Sequence, residues 1–281
     1  MSQKILISAQ GLHKLHQTTP CVIFDCRFAL DDPDAGYQDY LKSHIPGAVY
    51  AHLDDDLSSP VTVNSGRHPL PYANKFAAFL GRSGWQPGVP LIAYDASGGA
   101  IAARLWWLMK YFGQDDAAIL DGGIAAWIAT GHELQSGQVS VVHLPATELT
   151  SHDDLQLSTA DVVEGLTTNE IVLVDARAPE RFRGEVEPID SVAGHIPGSV
   201  NYPLNRNLDP NGRFKTAHEI RGELEIIADG QESQQFVHMC GSGVTACHNI
   251  FAAELAGLQG SKLYVGSWSE WIRDPSRPVE P

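Results

Sequence analysis

The chain is poor in basic residues and in cysteine, and it lacks a long hydrophobic run. Its 281 residues carry 19 Lys and Arg against 34 Asp and Glu, a formal net charge of −15 at pH 7. This charge opposes broad binding to nucleic acids or anionic membranes, so we expect neither partner. No apolar run approaches the roughly 18 residues of a membrane span, and residues 1–8 lack a secretory signal. We therefore predict a cytoplasmic protein.

Four cysteines, Cys21, Cys26, Cys240 and Cys247, are too few for a disulfide scaffold in a chain of this length. Cys21 and Cys26 lie around an apolar run, and Cys247 lies within a predicted helix, so we predict packed thiols at these three positions. No second Cys/His pair accompanies Cys247 and His248 at metal-ligand spacing, so we predict no metal site. Cys240 is left as the candidate for chemistry.

The sequence repeats itself, because four short motifs occur twice in the same order at nearly constant offsets of about 150 residues. An Asp-x-Arg motif and a His-Ile-Pro-Gly motif are among them. The matching pairs are 24–27 with 174–177, 43–49 with 194–200, 94–98 with 239–243, and 121–127 with 265–271. This order predicts a tandem duplication.

Each half alternates short apolar runs, which end at Asp, Cys or Gly, with helical patterns. Such alternation predicts an α/β fold in which each half is a mostly parallel sheet with helices on both faces. We predict domains at 1–135 and 155–281, joined by a linker at 136–154 that has no sustained periodicity. The predicted strands are 21–24, 91–94, 117–120, 171–174, 235–239 and 262–265, and predicted helices include 101–111 and 124–129.

Cys240 follows the apolar run 235–239 and precedes Gly241, Gly243 and a helical pattern. The loop can turn backbone N–H groups inward and places the thiol at the positive end of a helix. Both effects favour the thiolate, which is the nucleophilic form of cysteine. The loop carries no positive charge, so we expect main-chain dipoles, without basic side chains around them, to hold the charged sulfur. Asp95 occupies the matching place in the first half, which predicts one catalytic half and one silent half.

Two copies of the Asp-x-Arg and His-Ile-Pro-Gly motifs, with a reactive cysteine only in the second, resemble the tandem rhodanese-domain sulfurtransferases over nearly the whole chain. The loop 240–245 is similar to that of the 3-mercaptopyruvate sulfurtransferases. The resemblance implies that the Cys240 thiolate takes a sulfane sulfur from a donor and becomes a persulfide. It then passes the sulfur to cyanide, a thiol or a thioredoxin-like acceptor, and no cofactor is needed.

The resemblance also implies roles for individual residues. A Ser-His-Asp relay would consist of Ser242, His68 and Asp54, so that the first half serves the second. Arg181 would bind the carboxylate or thiosulfate of the donor. The backbone of the loop would complete the binding site through Gly241, Gly243, Val244 and Thr245.

One residue departs from the pattern of the mercaptopyruvate enzymes. Ile189 follows Glu187-Pro188, where these enzymes have a second substrate-binding arginine. Thiosulfate therefore remains open as the alternative sulfur donor.

Two other functions are alternatives. A cysteine-dependent phosphatase also uses a thiolate in an anion-binding loop, but it needs an arginine six positions after the cysteine, and here that residue is Ala246. We therefore predict negligible hydrolysis of aryl phosphates. A non-catalytic persulfide carrier or redox-sensing module would load sulfur on Cys240 without turnover. The presence of His68 and Ser242 favours an enzyme.

Overall fold

The computed structural model describes residues 5–281, and the described chain divides into two compact units. The first unit comprises the described residues up to Ser59, Pro71–His152 and Pro210–Phe214. The second comprises Pro60–Leu70, Asp153–Asp209 and Lys215–Pro281. Each unit therefore includes a short segment from outside the range predicted for its domain. Residues 1–4, part of the N-terminal stretch that is predicted to lack a secretory signal, lie outside the described residues.

The first unit contains five strands and five α-helices within its described residues. The strands are β1 (Leu6–Ile7), β2 (Val22–Asp25), β3 (Val49–Tyr50), β4 (Leu91–Tyr94) and β5 (Ala117–Leu120). The helices are α1 (Ala9–Thr18), α2 (Ala35–Lys42), α3 (Ala73–Arg82), α4 (Ala102–Tyr111) and α5 (Gly123–Ala129).

The second unit repeats this composition and adds short 3₁₀ turns. Its strands are β6 (Gln156–Leu157), β7 (Val172–Asp175), β8 (Val200–Asn201), β9 (Phe236–Met239) and β10 (Lys262–Tyr264). Its helices are α6 (Thr159–Thr168), α7 (Pro179–Phe182), α8 (Ala217–Ala228), α9 (Ala246–Leu255) and α10 (Ser267–Trp271). The 3₁₀ turns are Asp153–Leu155, Leu204–Asn207 and Ser233–Gln235.

The two sheets have the same topology. Their strand orders are β1-β5-β4-β2-β3 and β6-β10-β9-β7-β8, and every pairing is parallel. The predicted α/β fold with parallel sheets and helices around them is confirmed. The six predicted strands are the central ones, whereas β1, β3, β6 and β8 are two-residue edge strands that are too short to show a periodicity.

The register of the central strands brings the carboxyl ends of β7 and β9 to one edge of the sheet. Asp175 pairs with Met239, and Cys240 is the next residue. In the first unit Asp25 pairs with Tyr94 in the same way, and Asp95 follows. Because the carboxyl ends of parallel strands are where α/β folds hold their ligands, Cys240 stands at the expected position for a site.

The second unit has a buried apolar cluster that includes residues of β7 and β9. The cluster consists of Val162, Leu173, Ile196, Val237, Met239, Tyr264, Trp268 and Trp271. The N-terminus of α6, which contributes Val162, is fixed by a capping box between Ser158 and Asp161. Within residues 5–281, no helix is long and apolar enough to cross a bilayer.

Candidate active site

Cys240 lies immediately after β9, six residues before α9 begins at Ala246, and its residue surface is 2% exposed. The amide of Gly243 donates to its Sγ at 3.1 Å and that of Ser242 at 3.5 Å. The loop therefore turns main-chain N–H groups towards the sulfur, as its sequence predicts. None of the four cysteines, all of which lie within the described residues, takes part in a disulfide.

Gly243 has to be glycine for two reasons. Its φ is +77°, in the left-handed region that other L-residues rarely adopt. A Cβ at this position would also lie 2.5 Å from the carbonyl oxygen of Val265. The loop therefore packs backbone against backbone on the segment after β10. Of the other loop residues, the carbonyls of Val244 and Thr245 accept the amides of Cys247 and His248 and so open the first turn of α9.

Residues at the start of α10 also form hydrogen bonds with the Cys240 loop. The amides of Trp268 and Ser269 donate to the carbonyls of Cys240 and Gly241 at 3.0 and 2.9 Å. The amide of Cys240 donates to Ser267 Oγ at 3.1 Å. Ser267 is a further positioning residue with a strained backbone, because its φ is +52°. The repeat carries the only sequence signal for it, since Ser267 stands where the first half has Gly123.

Ser242 and His68, which the resemblance assigns to a relay, lie in contact. His68 Nδ1 lies 2.7 Å from Ser242 Oγ, and both residues are buried. His68 reaches this place because residues 60–70 pack within the second unit. Gly66 approaches so closely that a Cβ there would lie 2.5 Å from the carbonyl oxygen of Gly266. The amide of Arg67 donates to Ser269 Oγ at 3.0 Å and completes this attachment.

Asp54, the predicted acid of the relay, belongs to the first unit and lies in an exposed turn. Its amide donates to His52 Nδ1 at 3.2 Å. Its role in a relay stays a prediction.

Arg181, on α7, lies beside the loop in a cluster of charged side chains. Its guanidinium binds both carboxylate oxygens of Glu187, the closest at 2.7 Å, and Asp190 Oδ2 at 3.3 Å. Asp190 Oδ1 in turn accepts a hydrogen bond from Arg67. Glu187 also accepts the amides of Ile189 and Asp190, both at 3.0 Å. Ile189 therefore contributes a backbone contact here, and the residue is 42% exposed.

The expectation that basic side chains are missing around the loop is wrong. An ideal Cβ on Gly241 would lie 2.9 Å from Arg67 Nη2 and 3.7 Å from both terminal nitrogens of Arg181. Two guanidinium groups therefore reach the residue next to Cys240, and the absence of a side chain at Gly241 leaves them room. No pattern in the sequence points to Arg67, although it directly precedes the predicted His68.

Burial and charge act in opposite directions on the two acids of the cluster. Burial raises the pKa of Asp190 above its usual value, although Arg67 and Arg181 favour the charged form. Burial also disfavours ionisation of Glu187, but the hydrogen bonds from Arg181 and from the amides of Asp190 and Ile189 outweigh it and lower its pKa. The stronger hydrogen bonding of Glu187 explains the difference.

The Asp-x-Arg and His-Ile-Pro-Gly motifs have structural roles. Arg177 donates to both oxygens of the fully buried Asp175 and to the carbonyl of Gly194, and so connects two loops. His195 Nδ1 contacts the carbonyl oxygen of Phe182 at 2.9 Å. These motifs set the positions of α7 and of the loop that follows it.

In the first unit, the loop that begins at Asp95 corresponds to the Cys240 loop and binds a carboxylate with its main-chain amides. Asp95, the counterpart of Cys240, is fully buried, and its carboxylate accepts four amides at 2.8–2.9 Å. The donors are Ser97, Gly99, Ile101 and Ala102. A loop of this type therefore accommodates a buried negative charge with main-chain donors alone.

Comparison with known proteins agrees with this geometry. The family model described as "Rhodanese-like domain" matches residues 8–130 and again 158–274. A probable 3-mercaptopyruvate sulfurtransferase of Pseudomonas aeruginosa is 44% identical over 99% of this chain and 99% of its own length. A putative thiosulfate sulfurtransferase of Mycobacterium tuberculosis is 40% identical over 98% and 96%. The solved structure of 3-mercaptopyruvate sulfurtransferase from Leishmania major has a TM-score of 0.85 at 32% identity and covers 98% of this chain and 76% of that one.

Proposed function

This chain belongs to the family of proteins built from rhodanese-like domains, and we propose that it is a sulfurtransferase that takes sulfur from 3-mercaptopyruvate through a Cys240 persulfide. The observation that carries the proposal is the buried 2.7 Å contact between Ser242 Oγ and His68 Nδ1. Ser242 lies two positions after Cys240, whose Sγ accepts hydrogen bonds from main-chain amides. Names of similar proteins that include 3-mercaptopyruvate sulfurtransferase support it.

In the first half-reaction the Cys240 thiolate attacks the thiol sulfur of 3-mercaptopyruvate. A sulfur–sulfur bond forms, the carbon–sulfur bond breaks, and its electron pair leaves on carbon as the enolate of pyruvate. The enolate takes up the proton that the donor thiol releases. The sum is transfer of one neutral sulfur atom, so that a thiolate and mercaptopyruvate become a persulfide anion and pyruvate.

The loop stabilises the anion on both sides of this step. The amides of Gly243 and Ser242 point at Sγ before the reaction, and they need little rearrangement when the negative charge moves to the outer sulfur. The four amides around the Asp95 carboxylate in the silent copy support the same function for this backbone.

Ser242 and His68 serve the leaving group. As the carbon–sulfur bond breaks, negative charge develops on the carbonyl oxygen of the donor, and a hydroxyl group can donate a hydrogen bond to it. His68 orients that hydroxyl and can hold the proton during its transfer. The assignment of Asp54 as the acid of this relay depends on the resemblance alone, and kinetics of Asp54→Asn test it.

Arg181 and Arg67 bind the carboxylate of the donor. Their guanidinium groups flank Gly241, and arginine recognises a carboxylate through paired, charge-assisted hydrogen bonds. The arginine that Ile189 replaces is thus compensated by Arg67, which reaches the loop from residues 60–70.

In the second half-reaction a nucleophile attacks the outer sulfur of the persulfide and regenerates the Cys240 thiolate. Cyanide leaves as thiocyanate, and a small thiol or a thioredoxin-like protein leaves as a persulfide. The protein then follows a double-displacement scheme, in which the Cys240 persulfide must pass its sulfur to an acceptor before the next donor reacts.

Thiosulfate is the second candidate donor, since a similar protein is named a putative thiosulfate sulfurtransferase. Attack on its outer sulfur gives the same persulfide and releases sulfite. This leaving group is already a stable anion, so it does not require the Ser242–His68 pair.

The test measures steady-state turnover with each donor and cyanide, together with mass spectrometry of the donor-treated protein. We expect one added sulfur atom on wild-type protein, none on Cys240→Ser, and full loading of the matched control Cys21→Ser. Loading without repeated turnover would identify a persulfide carrier instead. Loading that persists in Cys240→Ser would refute the proposed nucleophile.

A further inference from the structure

The charged cluster beside the candidate active site is internally neutralised. Arg177, which lies 3.5 Å from Glu187 Oε2, is paired with the buried Asp175 and so adds no net charge. Arg67 and Arg181 contribute two positive charges, and Glu187 and Asp190 contribute two negative ones. The two carboxylate side chains are 4% and 5% exposed, so solvent screens them poorly. An approaching anion therefore meets two arginines whose charges are already balanced.

Asp190 differs from Glu187 in its contacts. Glu187 binds Arg181 with both carboxylate oxygens, and it also accepts hydrogen bonds from two backbone amides of its own loop. These contacts hold its side chain in place. Asp190 instead bridges the two arginines, with one oxygen on Arg67 and the other on Arg181. It is thus the acid that both candidate donor-binding groups share.

The charge of the donor then decides how well it is accepted. 3-Mercaptopyruvate brings one carboxylate and a neutral thiol, whereas thiosulfate brings two negative charges. The second charge of thiosulfate finds no uncompensated positive partner in this cluster and is repelled by the fixed charge of Asp190. At a separation of about 10 Å and an effective dielectric constant of about 20, one such repulsion corresponds to roughly a tenfold loss in binding.

We propose that Asp190 is a specificity-determining residue, which makes this site select monoanionic α-keto acid donors against dianionic donors such as thiosulfate. The inference depends on the proposed function of the same site. It assigns the discrimination against a second negative charge to the balance of charge around Gly241, separately from the help that the Ser242–His68 pair gives to the leaving enolate.

The experiment compares the ratio of kcat/KM for thiosulfate to kcat/KM for 3-mercaptopyruvate across a set of variants. In Asp190→Asn, which keeps the size of the side chain, we expect the ratio to rise about tenfold, mainly through KM of thiosulfate. Asp190→Glu restores the charge and should return the ratio towards the wild-type value. Arg67→Gln removes one positive charge, which leaves the cluster with a net negative charge, and should move the ratio in the opposite direction.

Glu185→Gln is the matched control, because Glu185 lies in the same segment but pairs with the exposed Arg183. It removes one negative charge away from Gly241 and should leave the ratio within twofold of wild type. Inhibition constants of sulfate and of pyruvate, measured on the same proteins, give a readout that is independent of chemistry. Sulfate should gain about tenfold over pyruvate in Asp190→Asn.

The outcomes separate the two proposals. If wild-type protein turns over neither donor, the proposed function fails. If it turns over a donor but Asp190→Asn changes neither the ratio nor the inhibition constants beyond those of Glu185→Gln, the role of Asp190 is refuted. If Asp190→Asn does not fold, Arg67→Gln decides, and an unchanged or raised ratio in that variant counts against the inference.

Discussion

Removing the hydroxyl of Ser242 tests the chemistry of the candidate site more directly than removing the nucleophile. The contact between Ser242 Oγ and His68 Nδ1 is short, at 2.7 Å, and both residues are at most 6% exposed. In Ser242→Ala the leaving enolate loses its hydrogen-bond donor while Cys240 and its amide partners stay in place. The variant therefore separates the relay from the nucleophile.

The size of the effect follows from this geometry. Losing one preorganised donor to a developing oxyanion costs about 100-fold to 1000-fold in kcat, about 3–4 kcal/mol. We expect that loss with 3-mercaptopyruvate. Sulfite leaves from thiosulfate without such help, so the loss with thiosulfate should stay below about tenfold. The buried His68 ring also loses this partner, which should lower the free energy of unfolding by about 1–3 kcal/mol.

The assay is initial-rate kinetics with both donors at saturating cyanide, alongside chemical denaturation. Ser261→Ala is the matched control, because Ser261 is also a buried serine of the second unit and its Oγ has no hydrogen-bond partner. It should keep both activities. Equal loss of both activities in Ser242→Ala would remove the relay from the mechanism.

Three further predictions concern the surroundings of the site. Ser267→Gly relieves a strained backbone at φ +52°, so the melting temperature should hold or rise. The same change removes the hydroxyl that accepts the Cys240 amide, so kcat should fall about tenfold. An unchanged kcat would contradict the positioning role of Ser267. Asp95→Asn replaces a carboxylate oxygen that accepts main-chain amides, so the free energy of unfolding should fall by about 2 kcal/mol, whereas turnover per folded molecule should not change. The pKa of His238 is lowered from 6.5 to about 3 by burial, so its neutral form favours the native state above pH 6.5, and this stability is lost as pH falls from 6.5 towards 3. His238→Leu should flatten that acid limb by about 1 kcal/mol per pH unit in denaturation curves, and an unaltered slope would contradict the assignment.

Sequence alone predicts the centre of each sheet and the reactive loop. The central strands are recognisable because apolar runs of about four residues are followed by Asp, Cys or Gly, and the repeat shows the same succession of motifs along both halves of the chain. Edge strands such as β3 and β8 cannot be recognised from the sequence, since two residues that pair with one neighbour carry no periodic pattern.

The candidate site divides in the same way. Cys240 and Ser242 are neighbours in the sequence, and the resemblance supplies His68. The ion pair between Arg67 and Asp190 joins residues 123 positions apart, and no local pattern connects them. Its existence depends on where residues 60–70 pack, which only the folded chain shows.

The Asp95 carboxylate in the first unit limits the number of sulfur atoms that one polypeptide can bind. Asp95 is covalently part of the chain and cannot leave, so its four amide donors are permanently occupied and that half has no vacancy for a sulfur anion. The duplicated architecture therefore has a capacity of one sulfur per molecule at these loops, and titration with a labelled donor should reach saturation at a one-to-one ratio.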